Sequence, residues 1–408
     1  MKSELLHELE ERGFIYQASN MDGLLDVLTS GVRVSLYYGS DPTGDSLHVG
    51  HIVPIMMMRW FQRYGHRPIM LVGGATGRIG DPSGRDNGRP VLSESALSKN
   101  LIGLRKSYEK ILGNDDFLTV DNYDWHKNFG HLEFLSEFGT DFTVPRMLSM
   151  ESVKRRLENG MSFLEFNYMT FQAVDFLELY KKHNCVLQIC GSDQWGNCIM
   201  GVELIRKKLA KEAFVLSTPL ITDAQGNKIG KSAGNAVWVN EDKTTPYEYY
   251  QYFRNVTDAD VEKFLKIYTE LTLDEIAKLA KLKDAELNEA KKILAFEATK
   301  IAHGKDAANA AAAASAALFA GAAVASATVV ASAAPSVNVK AKLPMSAIDF
   351  AMLSGLFPTK SEARRTIGQG GLSVNGRRVL SVDEVIEGAG EFLVQKGKKT
   401  FVKVVVNS

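Results

Sequence analysis

Cysteine is scarce in this chain of 408 residues: it has three, Cys185, Cys190 and Cys198, and no C-x-x-C pair. An odd number at that spacing argues against a disulfide framework or a structural zinc and for a reducing compartment. Net charge is missing as well, since 48 Lys and Arg balance 48 Asp and Glu. No global field announces a nucleic acid, so any such partner must be met by local patches. There is no G-x-x-x-x-G-K-[ST] phosphate loop and no G-x-G-x-x-G dinucleotide fingerprint. The N-terminus, MKSELLHELEERGF, lacks the basic-then-apolar plan of a signal peptide. Between Asp306 and Lys340 there is no charged residue, and alanine dominates. That length would permit a membrane span. Polar residues and Pro335 interrupt it, however, and leucine, isoleucine and basic flanks are nearly missing. A helix fading into a small-residue linker fits better, and cytoplasmic residence is expected.

What is present is organised around Tyr37 to His51, YYGSDPTGDSLHVGH. The preceding VRVSLYY is β-branched and aromatic, as in a buried strand. A turn follows, and Asp45 or Ser46 is placed to cap a helix through HVGHIVPIMMMRWFQRYG. His48 and His51 are three apart and share a face, while Gly50 leaves room for close approach. A strand, a tight turn and a helix start with two imidazoles suit a phosphate, although two core histidines would give the same string.

Further along, PIMLVGGATGRIGDPSGR reads as a second strand and a glycine-rich loop. Flexibility alone explains such a loop, but Asp81, Arg85 and Arg89 give it chemistry. In FLEFNYMTFQAVDFLELY, Tyr168, Gln172 and Asp175 fall on one helix face. That face either lines a pocket or is partly solvated. CVLQICGSDQWGN then gives a strand, a turn at Gly191, and Asp193 and Gln194 at a helix start. Carboxyl ends of strands are where open α/β sheets bind ligands. Lys228, Lys231 and Ser232 lie in the glycine-rich DAQGNKIGKSAGN, as a solvated turn or as a lid over a polyphosphate. Helices are expected over 246–305. From Lys340 onward eleven basic residues face six acidic ones, with Arg364, Arg365, Arg377 and Arg378 clustered, the footprint of an RNA-binding module.

Five segments, YYGSDPTGDSLHVGH, GGATGRIGDPSGR, EFNYMTFQAVDF, GSDQWGN and KIGKS, occur in this order. Together they resemble the bacterial-type tyrosyl-tRNA synthetases, which are class I aminoacyl-tRNA synthetases. HVGH stands for the HIGH motif and KIGKS for KMSKS. The C-terminal stretch resembles a small RNA-binding domain shared with a ribosomal protein and with pseudouridine synthases. The resemblance implies an α/β fold: a Rossmann-like parallel-sheet catalytic domain over 1–222 with a helical insertion at 124–182. A KIGKS loop and linker (223–245), an all-α tRNA-contacting domain (246–321), an Ala-rich linker (322–342) and an α+β RNA-binding module (343–408) would follow.

The implied reaction activates L-tyrosine with ATP, accompanied by Mg2+ and no protein-ligated metal, and transfers it to tRNA(Tyr). By motif position, Tyr37 and Asp175 would flank the phenol, and Asp81, Tyr168 and Gln172 would hold the ammonium. Asp41 and Gln194 would orient substrate and adenylate, with Gly191 and Asp193 at the ribose. Gly39, Thr43, His48, Gly50 and His51 would meet ATP, and Arg85, Arg89, Lys228, Lys231 and Ser232 its phosphates. Family members are homodimers that pair through the insertion, where Phe163 lies. Four features depart from the family: Tyr38 in place of a small residue, Pro54 early in the HVGH helix, Arg85 in place of lysine, and the uncharged Ala-rich run in place of a more charged segment. The rival readings are a tRNA-independent H-x-G-H adenylyltransferase, a tryptophanyl enzyme, and an RNA-binding scaffold derived from a synthetase. Intact HVGH and KIGKS count against the scaffold, and the Tyr37 and Asp175 pair against tryptophan.

Overall fold

A computed structural model describes residues 3–83, 92–113, 116–222, 226, 229, 236–319, 336–388, 390–397 and 400–407. The chain forms two compact units, residues 1–243 with 256–290, and residues 244–255 with 291–408.

The first unit is built on a six-stranded sheet. Its strands are β1 (Gln17–Ala18), β2 (Ser35–Ser40), β3 (Arg67–Val72), β4 (Leu118–Asp121), β5 (Cys185–Gly191) and β6 (Phe214–Thr218). They run in the order β1-β6-β5-β2-β3-β4, and all pairings but β1 with β6 are parallel. The chain leaves β2 in one direction to form β3 and β4 and returns on the other side with β5 and β6. The carboxyl ends of β2 and β5 therefore part at a topological switch point, which opens a crevice. The runs RPIMLV and FVLST are buried at nearly every position, as expected of parallel strands covered on both faces.

Helix Val49–Arg63 is apolar nearly all round and buries Ile52, Val53, Ile55, Met56, Met57, Met58 and Phe61. Pro54 is accommodated inside it. The sequence placed the start of this helix at Asp45 or Ser46, but its N-cap is His48. Both candidates are engaged elsewhere. Asp45 is ion-paired to Lys243 (2.6 Å) and Lys99 (3.0 Å), and Ser46 Oγ accepts the Asn240 N–H at 3.0 Å. The hydrogen bond from Lys243 is the main reason the Asp45 carboxyl is held below its ordinary pKa.

Several short helices fill the 124–182 stretch. Its last helix, Tyr168–His183, packs beside β5 against helix Trp195–Leu209. This helix carries the candidate pocket residues into the core.

The expected all-α domain at 246–321 is divided, because residues 256–290 pack with the sheet unit. Glu270 bonds Arg59 at 2.8 Å and Arg63 at 2.9 Å, and Tyr268 Oη donates to the Val49 carbonyl at 3.1 Å. Buried Arg12 donates to the carbonyls of Lys266 (3.0 Å) and Leu271 (2.5 Å).

In the second unit, helix Pro246–Arg254 lies against helix Lys305–Phe319, with Gln251 Nε2 donating to Ser315 Oγ at 3.0 Å. The C-terminal portion has a five-stranded sheet in the order Arg377–Val379, Leu372–Val374, Gly390–Lys396, Thr400–Asn407 and Ser336–Lys340. The last of these corrects the expected 322–342 linker, since alternating Val337 and Val339 pair in parallel with the final strand. Helices Ala347–Leu353 and Lys360–Gly368 cover this sheet, and Phe350 meets Phe392 at 5.1 Å. Among the described residues no helix is long and apolar enough to cross a membrane.

Candidate active site

The crevice at the switch point holds a cavity of about 360 Å³. That volume suits one small ligand or the reacting part of a larger one. From β2 and its loop it receives Tyr37, Tyr38, Gly39, Asp41 and Thr43, and from the next helix start His48, Gly50 and His51. Asp81 enters from the glycine-rich loop, Tyr168, Gln172 and Asp175 from helix Tyr168–His183, and Gly191, Asp193 and Gln194 from the end of β5. The structure thus gathers into one cavity five sequence segments spread over more than 150 residues. Arg85, Arg89, Lys228, Lys231 and Ser232 lie outside the described residues. Arg364 and Arg365 are exposed on helix Lys360–Gly368, and Arg377 and Arg378 on the adjoining strand. Arg377 is paired with Glu384 at 2.9 Å.

One end of the cavity is a closed polar chain. Asp175 is buried, and its Oδ1 accepts from Trp125 Nε1 (2.8 Å) and from His126 Nε2 (2.7 Å). Its Oδ2 accepts from Asn122 Nδ2 at 3.0 Å. Fully buried Asn122 also donates to Thr76 Oγ1 (2.9 Å) and accepts the Ala75 N–H (2.7 Å). Thr76 in turn donates to Asp41 Oδ1 at 2.7 Å, and Tyr168 Oη donates to Asp41 Oδ2 at 3.0 Å. Nearby, Asp81 Oδ2 accepts from Gln194 Nε2 at 2.7 Å, and Asn197 steadies Gln194 Oε1 at 3.2 Å. A buried carboxylate is costly unless hydrogen-bonded, and these donors offset that cost.

Facing this chain is Tyr37, 1% exposed, whose hydroxyl has no hydrogen-bond partner among the described residues. Burial, and then the nearness of Cys198 and Asp175, pushes its pKa well above the ordinary tyrosine value. It therefore stays an O–H donor at neutral pH. Burial also raises Tyr38, to about 12. Gln188 lines the same cavity, and its Oε1 likewise lacks a partner among the described residues.

The other end is a helix start. His48 Nδ1 accepts the Gly50 N–H at 3.1 Å, and its ring stacks on His51 with centroids 3.6 Å apart. The Trp238 ring meets His48 edge-on at 5.9 Å, and His48 and Trp238 form an antiparallel bridge. Hydrogen bonds Val49 N–H to Val237 O (3.0 Å) and Val239 N–H to Leu47 O (2.8 Å) fasten the bridge. A Cβ on Gly50 would stand 2.6 Å from the Ile229 carbonyl oxygen. Gly50 thus leaves room for the Ile229 carbonyl to come close to the helix start.

Sequence reasoning missed Asn122, Trp125, His126, Thr76, Gln188, Asn197 and Trp238. In sequence Asn122 to His126 is only a polar turn after a strand; its meaning comes from the fold, which sets it against Asp175. Trp238 gave a weak signal, as an aromatic just beyond a glycine-rich loop. Among the described residues no three His, Cys, Asp or Glu side chains converge as a metal site, and all three cysteines are free.

The family described as class I tRNA synthetases for Trp and Tyr matches residues 29–320. A tyrosine–tRNA ligase of Clostridium tetani is 44% identical over 413 residues, covering 100% of both chains. Another, from Caldanaerobacter subterraneus, is 44% identical over 409 residues and covers 98% of this chain and 99% of its own. Among solved structures, a C-terminally truncated mitochondrial tyrosyl-tRNA synthetase of Aspergillus nidulans overlays with a TM-score of 0.68 at 33% identity. That overlay covers 76% of this chain and 93% of the fungal one.

Proposed function

The chain belongs to the class I tRNA synthetases for tryptophan and tyrosine, and on that premise we propose how its cavity divides the work of a tyrosine–tRNA ligase. The enzyme joins tyrosine to ATP, releasing pyrophosphate, and then passes the tyrosyl group to tRNA.

The observation that carries the assignment of roles is the Asp175 cluster opposite the unpartnered Tyr37 hydroxyl. Asp175 can only accept and Tyr37 is free to donate, the complement of a substrate phenol that does both. Phenylalanine in the same place leaves the Tyr37 hydroxyl without an acceptor and the last acceptor site of Asp175 unfilled. Asp81, Tyr168 and Gln172 take the ammonium of the amino acid, and Asp41 helps to orient the substrate. Gln194 orients substrate and adenylate, and Gly191 and Asp193 meet the ribose.

In the first step a tyrosine carboxylate oxygen attacks the α-phosphorus. A C–O–P linkage forms and the bond to pyrophosphate breaks. The carboxylate is already ionised at neutral pH, so no base is needed. What remains is alignment and charge stabilisation, which fall to Thr43, His48 and His51 at the helix start beside Gly39 and Gly50. Arg85, Arg89, Lys228, Lys231 and Ser232 complete the polyphosphate grip in this reading, and Mg2+ enters on the nucleotide. In the second step a ribose hydroxyl at the tRNA 3′ end attacks the tyrosyl carbonyl carbon, and AMP leaves.

The same reading gives tRNA to the helices of 246–321 and to Arg364, Arg365, Arg377 and Arg378. It places the enzyme in the cytoplasm and makes it a homodimer through the 124–182 region. Support for the last comes from exposed Leu132, Leu157, Phe163 and Leu164. Tyrosine-dependent ATP–pyrophosphate exchange without tRNA tests the pocket, with phenylalanine and tryptophan as controls. Exchange with tyrosine alone is expected. No exchange with any amino acid, from folded protein that still binds RNA, would overturn the assignment in favour of a scaffold.

A further inference from the structure

We propose that His126 is a positioning residue for tyrosine recognition, one that fixes which oxygen of Asp175 is offered to the substrate. The inference rests on the reading that Asp175 meets the phenol.

His126 closes the short helix Tyr123–His126, and its side chain is 3% exposed. An ionised carboxylate only accepts, so at 2.7 Å from Asp175 Oδ1 the Nε2 atom carries the hydrogen. Nδ1 has no hydrogen-bond partner among the described residues. The ring is otherwise packed among aromatics, with Phe171 at 4.8 Å and Phe134 at 6.4 Å between centroids. An imidazole buried there with an orphaned nitrogen is a poor choice for packing, since an apolar side chain would carry no desolvation cost. Its contact with Asp175 is the compensating interaction.

The lone pairs of Asp175 show what that contact achieves. Each carboxylate oxygen presents about two acceptor sites. On Oδ1 both are taken, by Trp125 and His126; on Oδ2 Asn122 takes one. The remaining acceptor site is on Oδ2. Without His126 a second site opens on Oδ1, the carboxylate can turn about its bond to Cβ, and the acceptor is no longer fixed opposite Tyr37. His126 touches neither substrate nor reacting atoms in this scheme and acts only through Asp175.

The test is steady-state ATP–pyrophosphate exchange on H126L, H126Q and D175N, with tyrosine and phenylalanine. H126L is expected to raise the tyrosine KM about tenfold, the order of a lost hydrogen bond to a charged group, with the ATP KM unchanged. The tyrosine-to-phenylalanine ratio of kcat/KM falls by a similar factor. H126Q, whose amide nitrogen can donate from nearly the same place, recovers most of both. If D175N impairs tyrosine use while H126L stays within about twofold of the parent, the role of His126 fails alone. If neither variant changes tyrosine KM, the phenol reading itself fails. Equal losses toward tyrosine and ATP that Gln does not rescue reduce His126 to packing and overturn the proposal. A readout that needs no variant covers the case in which H126L does not fold. In the 15N-histidine-labelled enzyme the His126 Nε2–H resonance must move on adding tyrosine and hold still with phenylalanine. A resonance indifferent to both sinks the idea.

Discussion

Replacing Tyr37 with phenylalanine should move stability and substrate binding in opposite directions. The hydroxyl is buried and has no hydrogen-bond partner among the described residues, so in the free enzyme none of these groups satisfies it. Removing an unsatisfied buried polar group relieves a cost of roughly 1–3 kcal/mol. The aromatic ring stays, still packed on Phe176 at 5.2 Å, and the change deletes one atom without opening a cavity worth a methyl group. We therefore expect Tyr37→Phe to be as stable as the parent or more stable, by about 1 kcal/mol. In the proposed reading the same hydroxyl donates to the substrate phenol in the complex. Losing a neutral hydrogen bond there costs about 1 kcal/mol, a roughly fivefold rise in the tyrosine Kd. Phenylalanine, which gains nothing from that donor, should bind no worse and compete better. Calorimetric unfolding gives the first quantity, and titration of the amino acids in the absence of ATP gives the second. A variant destabilised by more than about 1 kcal/mol that keeps its tyrosine affinity would refute the account of Tyr37 in both states.

Gly50→Ala should lower the exchange rate by about 10²-fold with little change in tyrosine KM, because its Cβ meets the Ile229 carbonyl at 2.6 Å and forces the helix start and Ile229 apart. An alanine variant with normal kcat would show that this approach is not used. Asn122→Ala removes bonds to Ala75, Thr76 and Asp175 at once and should cost about 3 kcal/mol in chemical denaturation while weakening tyrosine binding. A loss confined to ATP would count against the polar chain. For Glu270, burial alone raises the carboxyl pKa, but Arg59 and Arg63 outweigh it and hold it below the ordinary value. A depressed folded pKa supplies stability that is present above the unfolded pKa and fades as pH falls through the folded one. Glu270→Gln should therefore cost about 2 kcal/mol near neutrality and almost nothing once the pH has fallen below the depressed pKa of the folded state. A pH-independent difference would show that the ion pair is not its source.

The parts of this structure legible in the sequence are those where one short segment carries its own signal. β-branched runs gave β2, β3 and β5, and their turn residues marked the carboxyl ends where the cavity lies. The i, i+4, i+7 spacing of Tyr168, Gln172 and Asp175 put them on one helix face, and that face lines the cavity. Signals that depend on tertiary competition failed. Ser46 and Asp45 are good caps in isolation, but Asn240, Lys243 and Lys99 claim them, so His48 takes the N-cap. The helices of 256–290 look like their neighbours in composition; only their partners, Arg59 and Arg12, reveal that they belong to the sheet unit. Val337 and Val339 sat at the end of an alanine-rich run, and nothing local marked them as a strand that needs Val404 and Val406 to pair.

The cavity also separates its two tasks by the kind of group it uses at each end. At the Asp175 end the acceptor is fixed by three donors from one short segment, Asn122 to His126, and a chain of bonds runs on to Asp41. Such a network is set before the substrate arrives, so its contacts with the phenol are the same in ground and transition states. Uniform binding of this kind lowers KM and sharpens selection without accelerating the chemistry. In the proposed reading the groups at the His48 end face the nucleotide and not the amino acid, where charge builds on phosphoryl oxygens, so their contribution grows as the α-phosphorus is attacked. Substitutions around Asp175 should therefore appear in tyrosine KM and in the tyrosine-to-phenylalanine ratio, and substitutions around His48 and His51 in kcat. A His48→Ala variant that altered tyrosine KM and left kcat intact would show that the division drawn from the hydrogen-bond pattern does not hold in catalysis.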